Sequence, residues 1–101
     1  MRGAERHGVK RVVLTSSVAA IMNTKKGGRP EVLNESVFSD PQTGDGYVRS
    51  KTMSEKTAWD FQANLPEGKK FELVTIAPGI IYGPAFLKTD FSSGAVLGMI
   101  L

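Results

Sequence analysis

A chain of 101 residues is one small domain at most, and 41% apolar content with a single Trp is a globular composition. No apolar run is long enough to span a bilayer, no basic and apolar leader opens the sequence, and zero cysteines exclude a disulfide framework and a thiolate metal site. A cytoplasmic protein with no membrane partner is therefore expected.

The net charge of +3 is uneven. Residues 1 to 29 carry seven Lys and Arg against Glu5 alone, whereas the remaining residues carry six against nine Asp and Glu. A basic front half suits nucleic acid or an anionic cofactor. Its cations fall on a helix end, a strand entry and a loop, without the interleaved aromatics of single-strand binders, so no nucleic-acid partner is expected.

In chain order, residues 1 to 7 read as the last turns of a helix that Gly8 stops. Residues 9 to 17, "VKRVVLTSS", are a β-branched apolar run of the kind buried on both faces of a parallel sheet. Residues 22 to 46 collect Gly, Pro, Asn, Asp and Ser and read as a long loop. Loops of that length in compact domains are usually functional or disordered.

The segment from 47 to 64 favours helix, with Leu65, Pro66 and Gly68 ending it. Val48, Ala58, Trp59, Phe61 and Ala63 are its expected apolar contacts, the methionines and Trp59 being core, while Arg49, Glu55, Lys56 and Asp60 are expected in water, with Lys56 and Asp60 paired. Residues 71 to 77, "FELVTIA", form a second buried strand that Pro78 stops, because proline has no N–H to donate. Strand, long loop, helix, strand is a parallel, right-handed βαβ crossover.

The fold class expected is α/β: an incomplete segment of a Rossmann-like, doubly wound parallel sheet. Strands apolar on both faces need helices above and below and further strands beside them. The ending "FSSGAVLGMIL" stops in apolar residues without a polar stop signal. Both ends are thus expected to be cut from something larger, leaving apolar surface in water and a piece prone to unfold or aggregate.

Tyr47 and Lys51 are four residues apart, so in a helix they project from one face. An ammonium close to a phenol favours the phenolate, which turns a tyrosine into a usable general acid or base near neutrality. The spacing alone is weak, since a surface tyrosine and a solvated lysine give the same pattern. Its neighbours strengthen it: "TSS" at 15 to 17 ends the first strand, and "APGIIYGP" at 77 to 84 places Pro-Gly at the end of the next, both on the edge where open α/β sheets bind ligands. His7 has no assigned role, as a lone histidine near a helix end is most simply a surface residue.

"VKRVVLTSSVAAI", "YVRSKTMSEKTAWDF" and "VTIAPGIIYGP", in that order, resemble the middle of an extended short-chain dehydrogenase/reductase of the epimerase/dehydratase superfamily. The resemblance is greatest to the dihydroflavonol reductase, cinnamoyl-CoA reductase and aldehyde or ketone reductase branch. It covers nearly the whole chain, and residues 1–101 would then be the central part of an NAD(P)-binding Rossmann domain.

The resemblance implies roles residue by residue. Ser17 matches the serine that polarises and orients a substrate carbonyl, with Ser16 its competitor. Tyr47 matches the tyrosine that protonates the carbonyl oxygen as hydride arrives from NADPH. Lys51 matches the lysine that makes that tyrosine more acidic and hydrogen-bonds the nicotinamide ribose. Pro78, Gly79, Ile80 and Ile81 match the turn along the nicotinamide, and Ser93 falls where the family has a hydroxyl near the cofactor phosphates. The loop at 22 to 46 would border the substrate pocket.

The implied cofactor is NADP, with NAD also possible, and the implied partner is a small-molecule carbonyl substrate. The family's Gly-x-x-Gly-x-x-Gly phosphate turn has no counterpart in these 101 residues, nor does the residue that selects NAD or NADP. The chain thus reads as the proton-transfer segment of an NADP-dependent reductase, inactive by itself. The alternative is a short, non-catalytic reductase remnant that binds a partner.

Overall fold

The computed structural model describes residues 1–22, 32–42 and 44–83. Helix α1 (Arg2–Arg6) precedes strand β1 (Arg11–Thr15), a short helix α2 (Ala19–Met22), the long helix α3 (Gly46–Ala63) and strand β2 (Glu72–Ile76). Gly8 ends the α1 region at φ +64°, a left-handed conformation that glycine adopts without a Cβ penalty. It lets the Val9 N–H turn back to the Ala4 carbonyl at 3.0 Å.

β1 and β2 pair in parallel, with Val13 opposite Val74 and Leu14 opposite Thr75. Hydrogen bonding continues past both strand ends. The Glu72 N–H reaches the Lys10 carbonyl at 2.9 Å, Ser16 N–H the Ile76 carbonyl at 2.7 Å and Val18 N–H the Pro78 carbonyl at 3.0 Å. Pro78 therefore ends the ladder as a donor yet still serves it as an acceptor.

α3 begins where Asp45 accepts the Val48 N–H on its side chain at 2.9 Å, one of the orphan donors of a first helical turn. It ends at Asn64, ahead of Pro66 and a 3-10 turn at Glu67–Lys69 that the sequence reading did not anticipate. Asp45→Ala is expected to cost about 1 kcal/mol of stability, a typical N-cap loss, measured by denaturant unfolding of the full-length polypeptide. A variant as stable as the wild type would mean the cap does not hold this turn.

α3 covers one face of the sheet. Ala58, Phe71 and Leu73 form the buried core there, with Val12, Leu14, Phe61 and Leu65 packed against it. Burying Phe71 and Leu73 contributes roughly 1.5–3 kcal/mol each. The opposite face is open: Val13, Val74 and Ile76 are 56%, 43% and 53% exposed. Burial on both faces of each strand is therefore met on one face only, because α3 supplies a single layer.

The stripe of α3 that meets the sheet and α2 keeps the expected contacts of Ala58 and Phe61 but differs elsewhere. Its buried residues are Thr52, Glu55 and Ala58, so Glu55 faces inward and not into water. Ala63, Trp59, Met22 and Met53 are exposed and not core. Lys56 lies over the Phe38 ring, 5.2 Å from its centroid, in place of the expected pairing with Asp60. α2, which lies between the expected first strand and the expected loop and overlaps the loop only at Met22, is anchored by Ser39, whose hydroxyl donates to the Ala19 carbonyl and whose N–H donates to the Ala20 carbonyl, both at 2.7 Å.

Candidate active site

Four of the candidate residues lie at the C-terminal edge of the two strands. Ser16 and Ser17 follow β1 directly, and Pro78 and Gly79 follow β2 after Ala77. The hydrogen bonds from Ser16 and Val18 to the exit of β2 bracket Ser17 and hold it beside Pro78. Tyr47 is the second residue of α3, so the Asp45 cap fixes the turn that carries it.

Tyr47 is 57% exposed, and the Lys51 ammonium lies 5.9 Å from its ring centroid. The i,i+4 row of α3 thus places cation and phenol together, as their spacing predicts. Lys51 makes no ion pair among the described residues, which leaves its charge available. Ser50, between them, turns its hydroxyl back to the Tyr47 carbonyl at 2.8 Å.

The two serines differ in what they do. Ser16 donates its hydroxyl hydrogen to Glu55 Oε2. Ser17 Oγ accepts the Ala19 N–H at 3.2 Å, at the start of α2, and its own hydrogen is left to donate. Both are buried. Of the two, Ser17 alone keeps a donor at this edge.

Glu55 is the residue that sequence reasoning missed. It is 6% exposed and takes three neutral donors: Ser16 Oγ, Thr75 Oγ1 at 3.0 Å and Trp59 Nε1 at 3.4 Å. A buried carboxylate needs such partners, since an unsatisfied one is costly. The available signal was its spacing, three residues from both Thr52 and Ala58 on the inward row.

Pro78 is half-buried, and Gly79, Ile80 and Ile81 are exposed. A Cβ on Gly79 would meet nothing within 4 Å, so open space lies beside this turn. Gly79, Ile80 and Ile81 thus form an exposed, largely apolar turn at the exit of β2. Ser93 lies outside the described residues, as do residues 23–31 and 43 of the 22-to-46 segment.

The parallel strand, helix and strand form a segment of a Rossmann-like α/β fold. Residues 1–93 match the 3-beta hydroxysteroid dehydrogenase/isomerase family, and the chain belongs to that family. It is 35% identical over 103 residues to cinnamoyl-CoA reductase CAD2 of Medicago truncatula, covering 96% of this chain and 30% of the relative. To anthocyanidin reductase of Arabidopsis thaliana it is 38% identical over 92 residues, covering 84% and 26%.

The crystal structure of yeast methylglyoxal/isovaleraldehyde reductase Gre2 complexed with NADPH superposes with a TM-score of 0.67 at 29% identity. That match covers 85% of this chain and 28% of Gre2. The fold is accordingly a segment of a Rossmann-like reductase, spanning between a quarter and a third of the length of these relatives.

Proposed function

We propose that residues 1–101 are the proton-transfer segment of an NADP-dependent oxidoreductase that reduces an aldehyde or ketone. The observation that carries the reading is the pairing of Tyr47 with Lys51 in the first turns of α3, in a chain of this family. Gre2, a similar protein, is described as a methylglyoxal reductase and is NADPH-dependent, which supports both the cofactor and the carbonyl class.

The chemistry follows from the groups. NADPH supplies the hydride to the carbonyl carbon. Charge then develops on the carbonyl oxygen, where Ser17 donates a hydrogen bond and Tyr47 delivers a proton. Lys51 stabilises the resulting phenolate by its positive charge and offers N–H donors to the cofactor ribose. Pro78, Gly79, Ile80 and Ile81 would line the nicotinamide, and Ser93 would reach the phosphates. The phosphate-binding half and the substrate domain would lie in sequence outside these 101 residues.

The test compares two preparations with NADPH and methylglyoxal. The full-length polypeptide containing this segment should oxidise NADPH, and residues 1–101 alone should not. Turnover by the 101-residue chain alone would refute the division of labour, and a full-length polypeptide that fails to oxidise NADPH with methylglyoxal and with a panel of other small aldehydes and ketones would refute the reductase reading.

A second reading is favoured by the open sheet face at Val13, Val74 and Ile76. In it, the segment is a non-catalytic remnant that covers this face with a partner protein. It predicts a cooperative melt and a monodisperse assembly for residues 1–101, and a random-coil far-UV spectrum would sink it.

A further inference from the structure

Along β1 the residues facing α3 are Val12 and Leu14, and on β2 they are Leu73 and Thr75. At the C-terminal edge this inward stripe changes from apolar to hydroxyl: Ser16 continues the β1 row, and Thr75 ends the β2 row. Both hydroxyls donate to one carboxylate, Glu55, which Trp59 also contacts from its own helix. No cation pairs with Glu55 among the described residues. A buried acid bridging the two strand ends to the helix that carries Tyr47 and Lys51 is more than a solvated helix position requires.

We infer that Glu55 is a positioning residue for the reductase site: by holding Ser16 inward, it leaves Ser17 as the serine that meets the carbonyl, in fixed relation to Tyr47. The inference rests on the reductase reading above. Main-chain bonds from Ser16 to Ile76 and from Val18 to Pro78 bracket Ser17, and with the Ser16 hydroxyl committed to Glu55, Ser17 Oγ is the serine hydroxyl left to donate beyond the β1 end. The same carboxylate ties α3 to both strand exits, and so holds the helix bearing Tyr47 against the segment bearing Ser17. Small displacements between such groups are costly to turnover, while cofactor binding at Lys51 and the Pro78 turn is affected much less.

The experiment is a double-mutant cycle on the full-length polypeptide with NADPH and methylglyoxal. Glu55→Ala should lower kcat about 30-fold with the Kd for NADPH nearly unchanged, the size of loss that a small misplacement produces. In a Ser17→Ala background the same substitution should cost no more than about twofold, because residues acting through one another are non-additive. Glu55→Gln should recover most of the loss, since its amide still accepts from Thr75 and Trp59 and donates to Ser16, whose hydroxyl can reverse.

A purely structural role would give the same fold-loss in both backgrounds, and that result overturns the inference. Glu55→Gln as impaired as Glu55→Ala would overturn it as well. Should Glu55→Ala not fold, Ser16→Ala takes its place in the cycle, with the same non-additivity expected and full additivity contradicting it. Undiminished turnover in Ser17→Ala would overturn the inference by removing Ser17 from the chemistry, whereas a wild-type full-length polypeptide that does not oxidise NADPH would defeat the reductase reading, which keeps the two failures apart.

Discussion

Tyr47→Phe in the full-length polypeptide should reduce carbonyl turnover by about 10²–10⁴-fold, the contribution of a positioned general acid, while NADPH still binds. The substitution removes one hydroxyl from a half-exposed ring and no core contact, so the fold should be untouched. The loss should fall on kcat, because the proton is transferred only in the transition state. Steady-state rates beside a fluorescence titration of NADPH separate the two effects. Turnover within a few-fold of the wild type would remove Tyr47 from the chemistry and leave the exposed ring as a surface residue.

Lys51→Met is expected to weaken both steps. The ammonium lies 5.9 Å from the Tyr47 ring centroid, and losing that positive charge beside the proton donor should lower kcat by roughly tenfold. The same group is the donor offered to the cofactor ribose, so the Kd for NADPH should rise by roughly tenfold too, the loss of a charge-assisted hydrogen bond. Met keeps most of the aliphatic stem, which leaves packing on α3 in place. A change in kcat with unaltered NADPH binding would separate the roles and assign the cofactor contact elsewhere.

Much of this arrangement was legible in the chain. The β-branched run up to Thr15, the Gly8 stop, the helix from about Tyr47 and the strand before Pro78 all follow from local pattern, and the parallel pairing follows from their order. Glu55 was not legible by composition. A glutamate two turns into a polar helix is normally solvated, and its burial depends on hydroxyls at Ser16 and Thr75, which are 39 and 20 residues away. The competition between Ser16 and Ser17 was open for the same reason: only the tertiary partner of each hydroxyl distinguishes them. α2 is a single turn of Ala, Ala, Ile and Met, too short for periodicity to mark, and its first two carbonyls are bonded by Ser39.

The open face at Val13, Val74 and Ile76 has a direct physical reading. An uncovered apolar sheet face demands a layer that α3 cannot supply, and this chain spans 26–30% of the relatives described above. Further chain on that face agrees with the proposed division between proton-transfer and phosphate-binding segments.

The most direct measurement follows the hydride. The full-length polypeptide is incubated with methylglyoxal and NADPH deuterated at the ring carbon that gives up hydride, and the product alcohol is weighed by mass spectrometry. The account predicts an alcohol carrying deuterium on the former carbonyl carbon, formed by the wild type and nearly abolished in Tyr47→Phe. Unlabelled product, or equal labelled product from the Tyr47→Phe variant, would contradict it.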